Sequence, residues 1–358
     1  MTRARLWVGL LLTGFHAASA VAAQPASTRE ALRVSGIVAQ PGQQASGYLE
    51  VPDGVDPGTK IPVTLIHGSK PGPVLALVAG THGSEYTSIV ALQRLRARVD
   101  AAKLAGSLIL VHMANPTTFY GRRIYWSPDG KNLNRVYPGQ ADGTLSQRIA
   151  YAITSEVIAR ATHLLDMHCG DANESLRPYS YWQVTGDPAL DAAGKRLALA
   201  FGLDHIVIDR ERPADPERTL YLSNTAVRRG KPAITVESGG MGETDEPSVH
   251  AQEAGALSVM AELGMLEAPS VKVEKPLFVD RSQVVTSPAT GVWHPLVQKM
   301  QSVATGTLLG QLTDAFGNVT HDLRAPFAGE VLYVVATPPV SEGEPLAFVG
   351  HVTEVEPR

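Results

Sequence analysis

Short apolar runs that alternate with helical patterns are the feature that most limits the fold of this chain. Six runs rich in apolar and β-branched residues are bounded by turn residues: IPVTLIHG, PVLALVAG, SLILVHMANP, HLLDMHCG, HIVIDR and PAITVESGG. Four longer segments carry apolar residues at helical spacing: SEYTSIVALQRLRARVD, LSQRIAYAITSEVIARA, DPALDAAGKRLALAFG and SVHAQEAGALSVMAELGML. Runs this apolar predict strands that are buried on both faces. The alternation therefore predicts an α/β fold with a mixed, largely parallel sheet flanked by helices.

The pattern changes near residue 265, where the helical spacing stops. A connector, EAPSVKVEKP, follows, and residues 276–355 consist of short strand-like runs separated by glycine and proline. Such runs predict a small all-β domain of the barrel or sandwich type. We therefore expect an α/β domain over residues 24–268 and a β domain over residues 276–355.

The first residues have the three parts of a secretory signal peptide. MTRAR carries two arginines, LWVGLLLTGF is apolar, and HAASAVAAQ offers small residues, which allow cleavage after Ala20 or Ala23. The apolar part is too short to span a bilayer as a stable helix. A retained N-terminal anchor is the alternative, and the alanine-rich tail argues against it. We expect removal of residues 1–23 and a mature protein that is exported to the periplasm without a membrane span.

Composition excludes some classes of function. The formal net charge of the 358 residues is −4, and the sequence shows no basic stripe, so nucleic acid is not an expected partner. Cys169 is the single cysteine of the sequence. The fold must therefore depend on its hydrophobic core, which a chain of this length can supply, and not on an intramolecular disulfide.

Side chains that can bind a metal ion follow the ends of two predicted strands. His82 and Glu85 lie in the turn after PVLALVAG, and His168 lies at the end of the strand in HLLDMHCG. Ligands of open α/β sheets bind at the carboxyl ends of strands, so these side chains are placed to converge. Histidine nitrogens and a carboxylate oxygen are suitable zinc ligands, and Asp166 is placed to orient one of them.

Each of these residues also has a structural interpretation. A glutamate in the first turn of a helix is favourable without any metal. A histidine near a strand end is often structural, and His112, inside the predicted strand SLILVHMANP, is interpreted as a hydrogen-bonded core residue.

Two further stretches carry groups suited to catalysis. The long polar loop NPTTFYGRRIYWSPDGKNLNRVYPG contains Arg123, Asn134 and Arg135. Arginine binds carboxylates through two parallel hydrogen bonds. Glu237 ends the strand in PAITVESGG, where a carboxylate is suited to act as a general base toward water. The alternatives are a solvated loop and a surface acid or helix cap at a strand exit.

Taken in order, GTHGSE, NP…GRR…DGKNLNRVYPG, LLDMHCG and ITVESGG resemble the motifs of the succinylglutamate desuccinylase/aspartoacylase family, within the zinc carboxypeptidase-like superfamily. The resemblance covers most of residues 60–265. It implies a zinc-dependent hydrolase domain over residues 24–268. It also implies one zinc ion per chain, bound by His82, Glu85 and His168.

The same resemblance implies roles for the remaining polar residues. Glu237 would activate the attacking water, and Arg123, rather than Arg122, would polarise the scissile carbonyl. Asn134 and Arg135 would hold a carboxylate of the substrate. The sequence departs from many relatives in reading NLNR where DLNR is common, which removes a charge beside this loop. The C-terminal β region resembles a biotinyl/lipoyl-type fold without the attachment lysine, so no carrier function is expected.

The predicted activity is zinc-dependent hydrolysis of an amide bond in an N-acyl amino acid or a related small molecule that bears a carboxylate. The first alternative is an exported, carboxypeptidase-like peptidase that acts on peptides or peptidoglycan fragments. The second is a non-catalytic binding module, and the presence of Glu237 beside a full ligand set argues against it. The sequence leaves the acyl group, the amine and the oligomeric state open.

Overall fold

The computed structural model describes Met1 and residues 29–124, 126–269, 271 and 273–355. Apart from Met1, the predicted signal peptide, residues 1–23, lies outside the described residues. The strands are β1 Leu32–Val34, β2 Ile37–Ala39, β3 Gln43–Val51, β4 Thr59–His67, β5 Lys70–Ala79, β6 Ala105–Val111, β7 His163–His168, β8 Glu174–Leu176, β9 Tyr179–Gln183, β10 His205–Asp209, β11 Ala233–Glu237, β12 Leu277–Thr286, β13 Gly291–Pro295, β14 Ser302–Val303, β15 Leu308–Thr313, β16 Val319–Arg324, β17 Gly329–Val335, β18 Pro339–Val340 and β19 Pro345–Thr353. The α-helices are α1 Tyr86–Arg98, α2 Pro116–Tyr120, α3 Leu145–Ile153, α4 Pro188–Phe201, α5 Leu222–Val227 and α6 Glu246–Glu262.

A large mixed sheet organises the molecule. Thirteen strands belong to it, in the hydrogen-bonded order β14-β17-β19-β12-β10-β9-β11-β7-β5-β6-β4-β3, with β8 paired to β17. The predicted mixed sheet is confirmed, and all six apolar runs are strands of it. Parallel pairing is concentrated in the centre, where β6, β5, β7 and β11 run side by side in one direction. The carboxyl ends of these strands therefore meet at one edge of the sheet.

Helices cover both faces of the central strands. α1, α4 and α6 pack on one face, and α3 and α5 pack on the other. Successive side chains of a strand point to opposite faces, so Leu75 and Leu77 of β5 join the first core while Ala76 and Val78 join the second. Burial of each leucine stabilises the fold by about 2 kcal/mol. This two-sided burial explains why the strands are almost continuously apolar.

The helix ends follow local sequence signals. In α4, the carboxylate of Asp187 accepts hydrogen bonds from the N–H groups of Ala189 and Leu190, which have no partner within the helix. Gly202 ends the same helix with a φ of 86°, a conformation that glycine adopts without steric cost. These signals place α4 where the sequence predicted a helix.

The C-terminal β region is continuous with the large sheet. β12 pairs in parallel with β10, His205 lying opposite Leu277, and β12, β17, β19 and β14 extend the sheet beyond that point. A separate four-stranded sheet, β16-β15-β13-β18, packs against this extension around the buried Trp293. A cluster that includes Tyr179, Tyr333 and Phe348 joins the two parts of the chain. Among the described residues, no helix is long and apolar enough to cross a membrane.

Candidate active site

The turn between β5 and α1 places His82 and Glu85 at the carboxyl edge of the central strands. A Cβ atom at Gly83 would lie 2.4 Å from the carbonyl carbon of Thr118, so only glycine allows this close approach. His82 Nδ1 lies 2.6 Å from Glu85 Oε1. Glu85 directly precedes α1, but its side chain makes no capping hydrogen bond with that helix. The geometry therefore does not support a glutamate that serves only as a helix cap.

The last residue of β7 completes the cluster. His168 Nδ1 lies 2.9 Å from Glu85 Oε2, and His168 Nε2 lies 2.8 Å from Asp166 Oδ1. One ligand atom from each of His82, Glu85 and His168 lies within 4.8 Å of the other two. The structure thus brings together the three metal ligands that the sequence predicted, although they lie up to 86 positions apart in the chain.

This donor set fits a zinc ion. Two imidazole nitrogens and one carboxylate oxygen are the ligand types of catalytic zinc sites, which keep a further position open. Glu85 and His168 are buried, and Asp166 is placed to accept the outer N–H of His168 and fix its ring. The arrangement therefore supplies both the ligands and the support of a ligand.

The charges of the cluster also suit a cation. Burial alone would lower the pKa of His168, but the neighbouring carboxylates of Glu85 and Asp166 outweigh burial and hold that pKa well above its usual value. Burial would raise the pKa of Glu85, and the charges of His168 and His82 instead lower it to about 2. Without a metal, the carboxylate is thus ionised, and the rings of His82 and His168 hold their protons more tightly than a free histidine does. Metal binding would displace these protons, since histidine ligates in its neutral form.

Glu237 lies beside the metal ligands because of strand register. β11 and β7 are parallel neighbours, and Glu237 is the direct partner of His168. Burial raises the pKa of Glu237 well above its usual range, His168 opposes this shift, and Glu85 adds to it. A half-buried carboxyl group with a raised pKa is suited to accept a proton and return it.

A small cavity of about 110 Å³ adjoins the cluster and carries two arginines. Arg135 and Arg212 both line it, and their guanidinium groups lie over the ring of Tyr221 at 4.6 and 3.8 Å from its centroid. Two guanidinium groups in one small cavity suit a carboxylate. Asn134 lines the same cavity, and its Oδ1 accepts a hydrogen bond from the N–H of Leu222 at 2.9 Å. The predicted pair Asn134 and Arg135 therefore lies at the site, with part of the asparagine used to position the loop.

Sequence reasoning missed Arg212. Its guanidinium is paired with Asp209 and lies 5.5 Å from the ring centroid of Tyr181. The surrounding letters, DRERPADPER, contain several similar charges and do not single it out. β10 runs antiparallel to β11, so the carboxyl end of β10 lies at the sheet edge opposite to His168 and Glu237. Arg212 follows that end and reaches the small cavity beside Tyr181, a position that no local pattern in the sequence indicates.

Comparison with known proteins identifies the family. The model of the succinylglutamate desuccinylase/aspartoacylase catalytic domain matches residues 71–263. The chain belongs to this family. A curated relative from Halomonas elongata, the N-alpha-acetyl-L-2,4-diaminobutyric acid deacetylase, is 30% identical in an alignment of 324 residues that covers 86% of this chain and 92% of the relative. That relative is by name a deacylase of an N-acyl amino acid, which supports amide hydrolysis as the class of reaction.

Solved structures of the family agree. The product-bound ectoine utilization protein EutE (DoeB) from Ruegeria pomeroyi is 27% identical, with a TM-score of 0.76 over 86% of this chain and 95% of that chain. The succinylglutamate desuccinylase/aspartoacylase from Rhodobacter sphaeroides is 25% identical, with a TM-score of 0.75 over 87% of this chain and 96% of that chain. Both matches extend well beyond residues 71–263, so the C-terminal region belongs to the shared architecture.

Arg123 is placed differently from the other predicted site residues of the family domain. Its N–H donates to the carbonyl of Thr118 at 2.9 Å, while its side chain is exposed. Among the described residues, the guanidinium does not line the small cavity or the larger cavity beside it. The role predicted for Arg123 at the scissile carbonyl thus stays a prediction.

A large cavity of about 780 Å³ opens from the same centre toward the C-terminal β region. Six of its lining residues, which we name the C-terminal wall, follow the matched catalytic domain in the chain: Val284, Tyr333, Glu342, Gly343, Glu344 and Pro345. The β region, for which no role was predicted from the sequence, therefore lines part of the candidate site.

Proposed function

We propose that the protein is a zinc-dependent amidohydrolase that releases an amino acid from an N-acyl amino acid. The observation that supports this best is the convergence of His82, Glu85 and His168, with Glu237 as the strand neighbour of His168. The small cavity with Arg135 and Arg212 lies beside this group and suits the carboxylate of the substrate.

The residues divide the reaction between them. Bound zinc would polarise the scissile carbonyl and lower the pKa of water. Glu237 takes a proton from the attacking water at its carboxylate and delivers it to the leaving nitrogen. Arg135 and Arg212 bind the carboxylate of the substrate and so orient the amide bond toward Glu237. Asp166 holds the ring of His168, and we propose Arg123 and Asn134 as further contacts of the substrate.

A peptidase is the second candidate, and the size of the large cavity favours it. A volume of about 780 Å³ lies within the range of roughly 300–1,000 Å³ that is typical of sites for drug-sized ligands. It leaves room for a substrate longer than an acetylated amino acid. The peptidase would use the same metal ligands and the same base.

The test is amine release from a panel of N-acyl amino acids and short peptides. The protein would be assayed after chelation, after zinc reconstitution and as Glu237→Gln, with zinc content measured in each sample. We expect zinc-dependent release and a loss of about 10²–10⁴-fold in Glu237→Gln at unchanged zinc content. Release from peptides alone would favour the peptidase. Full activity in the chelated protein or in Glu237→Gln would refute the proposed chemistry.

We also propose that the mature chain is exported, on the evidence of the N-terminal pattern alone. Expression in a Gram-negative host, followed by fractionation and mass measurement, tests this. A periplasmic protein that begins after Ala20 or Ala23 is expected. An uncleaved chain in the cytoplasm would contradict the proposal.

A further inference from the structure

The two cavities of the site share a border at the reacting centre. His82, Arg135, Tyr181 and Glu237 line both of them. Arg212 and Tyr221 line the small cavity but not the large one, whereas the C-terminal wall belongs to the large cavity alone. A substrate whose amide lies at this border therefore extends in two directions that differ in their surroundings.

More acidic than basic side chains line the large cavity. Apart from the metal ligands, Glu237 and the shared Arg135, its charged lining residues are four carboxylates and one lysine: Asp171, Glu174, Glu342, Glu344 and Lys131. The small cavity differs, because apart from the same shared residues and the candidate metal ligands its charged lining residue is Arg212, which is paired with Asp209. Electrostatic complementarity of this kind determines which partners are accepted and which are repelled.

Two of the four carboxylates lie in the turn between β18 and β19, at the C-terminal wall. Glu344 Oε2 accepts a hydrogen bond from the N–H of Ser341 at 2.7 Å, which fixes the turn. The backbone N–H of Glu342 donates to Thr290 Oγ1 at 3.1 Å. The carboxylate of Glu342 makes no hydrogen bond or ion pair with the described residues, and this exposed side chain is available to a ligand.

The other two carboxylates have partners in the protein. Asp171 Oδ1 accepts a hydrogen bond from Ser84 Oγ at 2.8 Å, and Glu174 Oε2 accepts one from the N–H of Asp171 at 3.1 Å. Burial raises the pKa of Glu174 to about 8 and that of Asp171 to about 6, so Glu174 is mainly protonated at neutral pH and these two residues chiefly support the wall. Their replacement would mix binding with folding, so Glu342 and Glu344 are the residues to change.

Aromatic rings line the same cavity and suit the same kind of ligand. Tyr179, Tyr181, Tyr333 and Trp126 all belong to its lining. The rings of Tyr179 and Tyr181 meet edge to face with centroids 5.3 Å apart. Aromatic faces attract a protonated amine, and the attraction is larger where water is excluded. The carboxylates, through their charge, and the aromatic rings, through cation–π attraction, thus both indicate a cationic ligand group.

We infer that the C-terminal wall selects substrates that carry, besides the carboxylate and the scissile amide, a protonated amino group, and that Glu342 and Glu344 determine this specificity. The substrate class is an N-acyl diamino acid, with its carboxylate at Arg135 and Arg212 and its ammonium group at the wall. An N-acyl amino acid with an anionic side chain is disfavoured by the same charges. The inference rests on the proposed function, since it uses the same site.

The experiment compares three substrates with one acyl group: N-α-acetyl-2,4-diaminobutyrate, N-acetylglutamine and N-acetylglutamate. The zinc-loaded wild type is compared with the double variant Glu342→Gln/Glu344→Gln. Glutamine keeps an oxygen that can accept the hydrogen bond of Ser341, so the turn is retained. The matched control is Glu354→Gln, an exposed acid of the same β region that lines neither cavity.

We expect the wild type to prefer the cationic substrate. The double variant should lose about tenfold in kcat/KM for it, as for hydrogen bonds to charged groups. The value for N-acetylglutamine should change least, that for N-acetylglutamate should rise, and the control should match the wild type. An equal change for all three substrates, or no preference in the wild type, overturns the inference.

Calorimetry separates this inference from the proposed function, because binding needs no turnover. Free 2,4-diaminobutyrate and glutamine are titrated into the zinc-loaded wild type and the double variant. Tighter binding of diaminobutyrate that is lost in the double variant supports the inference even if no substrate releases amine, in which case the proposed function alone fails. Equal binding of the two amino acids overturns the inference whatever the turnover.

Discussion

The candidate metal centre and the C-terminal wall face one cavity but are built differently. The ligands of the centre lie at or just beyond the ends of buried, parallel strands, and each histidine contacts a carboxylate at 3 Å or less. The wall depends on an exposed turn outside the matched catalytic domain. Changes at the centre must therefore disturb the sheet or the metal, whereas changes at the wall can leave both intact. One region is suited to preserve a reaction, and the other to vary its substrate.

The largest expected effect comes from removing a ligand at the centre. His168→Ala should release zinc on dialysis and abolish amine release, because several kcal/mol of transition-state stabilisation depend on the metal. Metal analysis and the amine assay measure this. Cys169→Ser is the control: Cys169 is adjacent and buried but lies outside the ligand group. If Cys169→Ser lost zinc to the same extent, the assignment of three ligands would be wrong.

A smaller effect is expected from a change at Asp166, which contacts the candidate ligand His168. Asp166→Asn keeps the shape of the side chain that contacts His168 Nε2 but removes its charge. We expect zinc affinity to fall about 10–100-fold, as measured by competition with a chelator. Asp171→Asn serves for comparison, because Asp171 bonds to Ser84 and not to a ligand. An equal loss in both variants would show that local charge, and not orientation of His168, determines the affinity.

The smallest expected effect concerns a buried histidine that belongs to neither region. Burial, with a contribution from Arg96, lowers the pKa of His112 to about 4, and its Nε2 lies 2.8 Å from Thr64 Oγ1. The unfolded chain, with a pKa near 6.5, therefore binds a proton that the folded protein excludes between pH 6.5 and 4. Stability contributed by His112 is present at neutral pH and is lost as the pH falls through this window.

Urea unfolding at pH 7 and pH 5 measures the contribution of His112. Between these values the wild type should lose on the order of 2 kcal/mol more unfolding free energy than His112→Gln. Both proteins are compared without metal, so that zinc release does not contribute. Parallel pH dependence in the two proteins would show that the histidine is protonated in the folded state. The pKa of His112 would then not be lowered, and His112 would no longer be the opposite of His168, whose pKa is raised.

The sequence predicted the parts of the fold that depend on local pattern. All six apolar runs are strands, and all four helical patterns contain a helix. The one long pattern after Thr144 was wrong in detail: α3 ends at Ile153 and a π-helical turn follows over Thr154–Ile158. Ser155 Oγ bonds to the carbonyl of Tyr151 there, a contact that competes with regular helical hydrogen bonds.

The rest of the structure depends on pairing between distant segments. β9, with the sequence YSYWQ, lies between β10 and β11, yet it lacks the apolar pattern of the other central strands. The parallel pairing of β10 with β12 joins residues about 70 positions apart, and no local sequence pattern predicts it. For the same reason the metal ligands were predictable from strand ends, whereas Arg212 and the wall residues were not.

The order of synthesis gives the pairing of β10 with β12 a consequence in time. All three candidate metal ligands and Glu237 emerge from the ribosome before β12 exists, and β19, which pairs with β12, is the last of the described strands to be made. Until then, the edge of β10 that pairs with β12 has no neighbouring strand, and the apolar surface of Tyr179 and Val207 is uncovered. The nascent chain thus contains the candidate metal ligands before it contains the C-terminal wall. A chain that ends before β18 would lack the turn of the C-terminal wall and the partner strand of β12 together.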